Sequence, residues 1–269
     1  MRFDWISFTS DFGLSDGYVA ACHGVLARLA PAARVLDVTH QVPAQNLRHG
    51  AAVLAQTLPY LPEAVHLAVV DPGVGTARRG VVLRAGASLL VGPDNGLLID
   101  AAAALGGIDS VHELRAPAYR AAAVSATFHG RDVFSPAAAH LALGVAVEEF
   151  GPALPGGELV RLAPPELHVT PGEIGTEVLT VDSFGNLQLA AGPDALRSAG
   201  ITGPAVSVTA SGQQRAAILG ETFGSAPVGE AVLHVDSAGL LSVAVNGGSA
   251  AQVLRYTGGP IVLRGEGGR

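Results

Sequence analysis

The chain has 269 residues, a formal net charge of −7 at pH 7, and arginine at all sixteen of its basic positions. An enzyme without lysine cannot form a Schiff base, use a lysine general base or hold phosphates with a P-loop lysine. The acidic balance leaves no basic face for a phosphate backbone, so we expect a small-molecule partner and no nucleic acid.

The first half of the chain alternates predicted strands and helices. The expected strands cover 3–9, 34–39, 66–70, 80–84, 88–91 and 110–114. The expected helices cover 17–30, 46–58 and 97–105, and another follows the motif TFHGRDVF. Alternation of this kind, with carboxylates where strands end, predicts an α/β domain with a doubly wound, mainly parallel sheet.

The composition changes near residue 150. Five prolines and four glycines fall within 151–172 and indicate a linker. Short predicted strands with glycine-rich turns follow, at 173–182, 187–190, 205–210, 213–219, 231–236, 240–246 and 261–264. Strands at this spacing are typical of an antiparallel barrel or sandwich. We therefore expect an α/β N-terminal domain over 1–150, a linker over 151–172 and a smaller antiparallel β-barrel domain over 173–269.

The stretch VVDPGVGTARRGV is the most informative part of the chain. A buried strand ends at Asp71, and a proline and two glycines in the next four positions turn the backbone out of the sheet. Arg78 and Arg79 follow, so a carboxylate and a fixed cation share one loop, as at the mouth of a ligand crevice. A structural ion pair that ties down the loop explains the same residues equally well.

Three further motifs place polar groups near predicted strand ends. Asp11 and Asp16 lie in SDFGLSDG, where either carboxylate is able to cap the next helix and Asp16 is well placed to do so. VDSFGN is typical of a hairpin turn. His129 of TFHGRD is explained equally well as a loop histidine whose ring is hydrogen-bonded locally. Taken singly, none of these motifs selects a function.

Cysteine and histidine usage argues against a metal cofactor. Cys22 is the only cysteine, which leaves no internal disulfide and no thiolate metal cluster. His40 and His49 are too far apart for one helical turn, and no histidine pair has the i, i+4 spacing. The N-terminus is too charged for a signal peptide and no stretch is long enough to span a membrane, so we expect a cytoplasmic protein with no membrane contact.

In combination the motifs resemble a known family. DFGLSDGYV, VVDPGVGTARR, GPDNGLL, TFHGRDVFSPAAA, VDSFGN and NGGSAA are similar, in that order and over almost the whole chain, to the S-adenosyl-L-methionine hydroxide adenosyltransferases, relatives of the fluorinase and chlorinase enzymes. The resemblance implies an α/β N-terminal domain and a β-barrel C-terminal domain. It also implies a homotrimer that binds substrate between the N-terminal domain of one subunit and the C-terminal domain of the next.

The resemblance further implies that Asp71, Arg78 and His129 hold and activate a water molecule. That water would attack the ribose 5′-carbon of S-adenosyl-L-methionine in line with the sulfonium leaving group, giving adenosine and L-methionine. The positively charged sulfur already activates the carbon, so neither a metal nor another cofactor is expected. Either Asp71 or His129 accepts the proton, and Arg78 orients the water and offsets the charge of Asp71.

The same comparison implies a set of substrate-binding residues. They are Asp11 for the ribose hydroxyls, Asp16 and Asp182 near the methionine amine and sulfonium, Phe184 and Asn186 for adenine, and Ser237 for the methionine part. The halogenating relatives carry arginine where this chain has Ala238 and Val245. This difference leaves open how the methionine carboxylate is neutralised.

Two other functions compete with the hydrolase. A halogenase must accommodate a halide, which a carboxylate at Asp71 repels, and Gly130 lacks the hydroxyl of the serine found in the fluorinase. A non-catalytic adenosine or S-adenosylmethionine sensor needs Asp11, Asp182 and Asn186 but not the water-activating residues. Because all three water-activating residues are present, the sequence favours the hydrolase.

Overall fold

The computed structural model describes residues 2–265, and its contacts divide the chain into two compact units between Leu162 and Ala163. No helix in the described part of the chain is both long and apolar enough to cross a membrane. The cytoplasmic location stays a prediction.

A six-stranded sheet forms the centre of the first unit. Its strands are β1 (Trp5–Ser10), β2 (Arg34–Thr39), β3 (Val65–Val69), β4 (Gly80–Ala85), β5 (Ser88–Pro93) and β6 (Ser110–Glu113), in the order β2-β1-β3-β5-β4-β6. β1 pairs in parallel with β2 and β3, and β3 with β5, whereas β4 is antiparallel to both β5 and β6. The sheet is mixed but mainly parallel, as expected: five of its six strands run in one direction and β4 runs in the other. The two residues between β4 and β5, Gly86 and Ala87, are too few for a parallel crossover.

Helices cover both faces of this sheet. They are α1 (Tyr18–Leu29), α2 (Leu47–Thr57), α3 (Ile99–Ala104) and α4 (Ser135–Ala142). Alternate residues of β3, together with Val70, which follows it, separate the two cores: Leu67 and Val69 pack with α1 and α4, and Ala68 and Val70 pack with α2 and α3. Burial on both faces explains why the strand reads as a continuous apolar run.

The second unit contains a nine-stranded sheet. Its strands are β7 (Leu167–Thr170), β8 (Glu173–Thr176), β9 (Val178–Val181), β10 (Leu187–Leu189), β11 (Ala205–Ala210), β12 (Gln213–Leu219), β13 (Ala231–Val235), β14 (Leu241–Val245) and β15 (Ile261–Gly265). The order is β7-β8-β15-β11-β12-β13-β14-β10-β9, and every pairing is antiparallel except that of β12 with β13. No pairing within residues 2–265 joins β7 to β9, so these two strands are the edges of the sheet, and the expected β-barrel stays a prediction.

Three details of this unit differ from the sequence prediction. Strand β7 lies within the expected linker over 151–172. The expected strand 173–182 is interrupted at Glu177, because β8 pairs with β15 while β9 pairs with β10 at the far edge of the sheet. Helices α5 (Pro193–Ala199) and α6 (Ala250–Val253) were not predicted. Pro193 at the first position of α5 and Gly200 after its end, with φ 67°, are nevertheless the usual signals of a short helix.

Candidate active site

Asp71 and Arg78 form a nearly buried ion pair beyond the end of β3. The Nε of Arg78 donates to Asp71 Oδ1 at 3.0 Å, and its Nη2 donates to Oδ2 at 2.5 Å. The side chains are only 5% and 9% exposed, respectively. The guanidinium also lies over the ring of Phe134 at 5.2 Å. This bidentate, stacked arrangement fixes the direction of the carboxylate, which a lysine in place of Arg78 could not do.

His129 completes the group. The same Nη2 of Arg78 lies 3.0 Å from Nδ1 of His129. Because a guanidinium has no acceptor, Nδ1 must accept, and the proton of the neutral imidazole must lie on Nε2. Burial, together with the charge of Arg78, lowers the pKa of His129 against the opposing influence of Asp71. The histidine is therefore held neutral, with Nε2–H as its free donor.

Backbone packing brings the two loops of this group together. Gly75 has φ 77°, and a Cβ at that position would lie 2.3 Å from the carbonyl oxygen of Ala126, three residues before His129. His129 itself directly precedes a π-helical turn, Gly130–Phe134, a type of turn that is frequent at functional sites. A glycine at position 75 is thus needed for the close approach of the loops that carry Asp71 and His129.

Asp132 supports the histidine loop and was not identified from the sequence. Its buried carboxylate accepts from the backbone N–H of Ser125 at 2.8 Å and pairs with Arg131 Nε at 2.6 Å. The hydrogen bond from Arg131 holds the pKa of Asp132 below its usual value. The only signal for this role was its place in the TFHGRD motif, because its partner is a backbone group whose position depends on the fold of the loop.

Arg79 has a different partner from Arg78. It donates through Nε to Asp94 Oδ2 at 2.9 Å and through Nη2 to the carbonyl of Glu158 at 2.8 Å. The backbone N–H of Val160 donates to Asp94 Oδ1. Asp94 belongs to the GPDNG turn. Arg79 therefore matches the structural alternative, an ion pair that ties down a loop, and Arg78 is the arginine of the candidate site.

Asp11 and Asp16 do not cap α1. The N-cap residue of that helix is Gly17, and within residues 2–265 no side-chain capping hydrogen bond is present there. Asp11 instead accepts at Oδ2 from the backbone N–H of Gln45 at 2.8 Å, and Gln45 has the uncommon φ of 64°. Asp16 is exposed in the same loop. The capping alternative is thus wrong for both carboxylates.

The VDSFGN motif is a hairpin turn and also lines a cavity. Asp182 Oδ1 accepts from the backbone N–H groups of Phe184 and Asn186 at 2.9 and 2.8 Å, and its Oδ2 accepts from Asn186 Nδ2 at 2.8 Å. Phe184 is held 76% exposed. The amide oxygen of Asn186 points away from this bond and keeps its acceptor capacity, since the donor is the amide nitrogen.

The cavity measures about 530 Å³ and lies within the second unit. It is lined by Asp182, Phe184, Asn186, Phe223, Val245, Gly247 and Gly248. The motifs VDSFGN and NGGSAA meet at this cavity. A Cβ at Gly185 would lie 2.0 Å from Ser249 Oγ, so only glycine permits the contact. The second aromatic, Phe223, was not identified from the sequence, where it has no motif around it. Its ring packs against His234 at 4.9 Å between centroids.

Ser237 does not lie with these residues. It is exposed in the turn between β13 and β14, whereas the cavity includes Val245 at the other end of β14. The strand from Leu241 to Val245 spans roughly 13 Å. Ala238 lies in the same turn and donates its backbone N–H to Asp236. Within this unit the structure therefore brings together Asp182, Phe184 and Asn186, but not Ser237.

Comparison with known proteins gives consistent matches over both units. Residues 6–151 match the SAM hydroxide adenosyltransferase N-terminal domain, and residues 176–263 match the corresponding C-terminal domain. The chain is 59% identical over 255 residues to a protein of Salinispora arenicola named (R)-S-adenosyl-L-methionine hydrolase, with 95% of each chain covered. It is 30% identical to the fluorinase of Actinopolyspora mzabensis over 91% of this chain and 92% of that protein.

A solved structure is also similar. It is that of an uncharacterised conserved protein from Thermotoga maritima, 34% identical, with a TM-score of 0.87 over 96% of this chain and 99% of that one.

Proposed function

The chain belongs to the SAM hydroxide adenosyltransferase family, and from that premise we propose that it hydrolyses S-adenosyl-L-methionine to adenosine and L-methionine. The prediction of the family from the motifs is confirmed. The observation that carries the proposal is the group Asp71, Arg78 and His129, which presents a fixed carboxylate and a fixed N–H donor side by side. These are the two polar functions that a nucleophilic water needs.

The reaction requires only the activation of water. The water oxygen forms a bond to the 5′-carbon, the carbon–sulfur bond breaks, and its electron pair neutralises the sulfonium to give the thioether of methionine. His129 Nε2–H donates to the water oxygen, and the water proton passes to Asp71 and then to solvent. Positioning of this kind lowers a barrier by roughly 7 to 11 kcal/mol, and general-base assistance adds a factor of about 10² to 10⁴.

We assign the proton to Asp71 because the lone pair of His129 is occupied. Nδ1 accepts from Arg78 and Nε2 carries the proton, so His129 has no free acceptor unless the Arg78 bond breaks. Each oxygen of Asp71 accepts one bond from Arg78 and retains further acceptor capacity. The mechanism derived in this way uses no metal ion.

We propose that the other candidate site residues of the two units bind the substrate. The exposed ring of Phe184 and the amide of Asn186 suit the face and edge of adenine, and Asp11 suits a ribose diol through its two acceptor oxygens. Asp16 and Asp182 would lie near the methionine amine and sulfonium, and Ser237 near the methionine chain. The name of the Salinispora relative supports the (R) epimer at sulfur as the substrate.

We also propose a homotrimer in which each site combines the first unit of one subunit with the second unit of the next. The support is the distribution of the proposed residues: the water-activating group lies entirely before residue 132 and the cavity lined by Phe184 entirely after residue 181. Cyclic symmetry then gives three identical sites.

A halogenase is the alternative, since a fluorinase is 30% identical to the chain. Two features argue against it. The carboxylate of Asp71 repels an anion, and Gly130 leaves no room for a side chain, because a Cβ there would lie 2.7 Å from the ring of Phe12. The serine of the fluorinase would therefore displace that ring.

The reaction should be tested with purified protein in ¹⁸O-labelled water. Both epimers at sulfur should be compared. We expect the (R) epimer to be consumed faster and the label to appear on the 5′-oxygen of adenosine. Repeating the reaction at high chloride should yield no chlorinated nucleoside. Label confined to the solvent, or 5′-chloro-5′-deoxyadenosine among the products, would contradict the proposal. Binding without turnover would identify a sensor instead.

A further inference from the structure

Three side chains outside the proposed catalytic group converge on one point. His23 lies on α1, Asp37 on β2, and His40 just after β2. Their ligating atoms lie within 4.8 Å of one another. His23 Nε2 is 2.9 Å and His40 Nε2 is 3.0 Å from the same oxygen, Asp37 Oδ1. The spacing in sequence does not predict this cluster, because its members come from three different elements.

The state of His40 distinguishes the cluster from an ordinary hydrogen-bonded chain. His40 is 4% exposed, and its buried Nε2 has no hydrogen-bond partner, because the direction to Asp37 is unsuitable even though the distance is short. Its other nitrogen, Nδ1, lies 2.7 Å from Ser10 Oγ. If Nδ1–H donates to this hydroxyl, the lone pair of Nε2 points into the cluster. This is the usual support for a metal-binding histidine.

The local fold holds the three groups in place. Phe8 pairs with Asp37 and Thr9 with Thr39, so Val38 is an extra residue and β2 carries a bulge beside Asp37. Bulges of this type re-aim side chains next to sites. The buried ring of Phe8 packs edge-to-face on His40 at 4.6 Å and lies 6.0 Å from His23. An apolar wall thus lies behind both imidazoles.

We propose that His23, Asp37 and His40 bind a divalent first-row transition-metal ion, with Zn²⁺ as the best match. Two imidazoles and one carboxylate are a usual zinc donor set, with a water as fourth ligand. Tetrahedral ligands at zinc lie about 3.3 Å apart, so the two distances to Asp37 Oδ1 need to widen only slightly. Solvent has access because the His23 and Asp37 side chains are 36% and 42% exposed. The ion would join α1 to the edge strand β2, and it takes no part in the proposed reaction.

The test is equilibrium dialysis of the untagged, chelator-treated full chain against micromolar ZnCl₂, with metal analysis. We expect one zinc per chain, and at least tenfold weaker binding in both His23→Gln and Asp37→Asn. These two positions are partly exposed, so the variants should fold. Ser10→Ala should weaken binding by about 10- to 100-fold through the orientation of His40. The matched controls are Glu166→Gln and His168→Gln, an exposed pair 4.0 Å apart, which should change nothing.

Co²⁺ provides a spectroscopic check that does not depend on activity. Visible absorption typical of four-coordinate cobalt, abolished by Asp37→Asn and kept in His168→Gln, would support the site. The proposal is overturned if the chain binds no zinc, or if the His23 and Asp37 variants bind it as tightly as the parent. Equal loss in the control variants would indicate nonspecific surface binding and would overturn it as well.

Discussion

Arg78 donates to the Nδ1 of His129 at 3.0 Å while the same guanidinium holds both oxygens of Asp71. One arginine therefore sets the tautomer of His129 and the direction of the Asp71 carboxylate. Protonation of His129 would place a second N–H against the Arg78 donor and break this arrangement. The group is consequently complete only with a neutral histidine.

The first prediction concerns pH. The pKa of His129 lies below its ordinary value of 6.5, mainly because of burial, so the neutral form should persist through neutral pH. We expect kcat/KM to be constant above pH 6.5 and to fall as the pH drops through the lowered pKa. Nitrogen NMR of the imidazole at pH 7 should find the proton on Nε2. A rate that increases towards acid, or a proton on Nδ1, would refute the assignment of roles.

The second prediction is that Asp71 and His129 act as one unit. Residues that share a catalytic task are strongly non-additive. Asp71→Asn, His129→Ala and the double variant should therefore have similar residual kcat values, while adenosine binding measured by calorimetry stays within a few-fold of the parent. Multiplicative losses in the double variant would show that the two residues act independently.

The third prediction uses two glycines of the same loop. Gly75 has φ 77° and would bring a Cβ to 2.3 Å from the backbone of Ala126, whereas the nearest atom to a Cβ at Gly73 is 3.6 Å away. Gly75→Ala should move the Asp71 loop from the His129 loop and lower kcat by tenfold or more, with a stability loss of about 1 to 3 kcal/mol. Gly73→Ala should stay near the parent in both measurements. Equal behaviour of the two variants would contradict the close-approach argument.

Some of this site follows from sequence and some depends on the folded loops. Asp71 is predictable because a buried strand visibly ends there, but choosing Arg78 over Arg79 needed the family resemblance. The structure gives the physical difference: Arg79 reaches Asp94 and the carbonyl of Glu158. Asp132 could not be identified from the sequence, because it accepts a hydrogen bond from the backbone N–H of Ser125, whose position depends on the folded loop.

The fold shows the same division. Alternating strands and helices correctly indicated an α/β unit, yet the antiparallel direction of β4 depends on a two-residue turn at Gly86. The break at Glu177 could not be read from the segment EIGTEVLTVD, because the break reflects which strands pair on either side. Pairing partners are tertiary properties, and local sequence patterns do not specify them.

The fourth prediction tests the adenine platform. Phe184 is 76% exposed, so Phe184→Ala removes a stacking surface without opening the core. Stacking of a base on an aromatic ring contributes about 1 to 3 kcal/mol, which corresponds to a rise in KM of roughly 5- to 150-fold with little change in thermal stability. The matched control is Tyr60→Ala, another aromatic that is 83% exposed, and its KM should not change. Unchanged KM in Phe184→Ala would remove this residue from the site.

The last prediction concerns the proposed trimer and uses two inactive chains. Asp71→Asn disables the first unit and Asn186→Ala the second. In a mixed trimer, one interface in three pairs an intact first unit with an intact second unit, because the subunits are arranged head to tail around a threefold axis. Random assembly of an equal mixture should therefore restore about a quarter of the parent activity.

The control mixture is Asp71→Asn with His129→Ala. Both changes lie in the same unit, so every combined site carries one of them and no activity should return. Light scattering should give the mass of three chains for the parent and for each variant. Restored activity in the first mixture alone is explained only by sites that two chains share. A fully active monomer, or two equally inactive mixtures of proven mixed composition, would mean that each chain holds a complete site by itself.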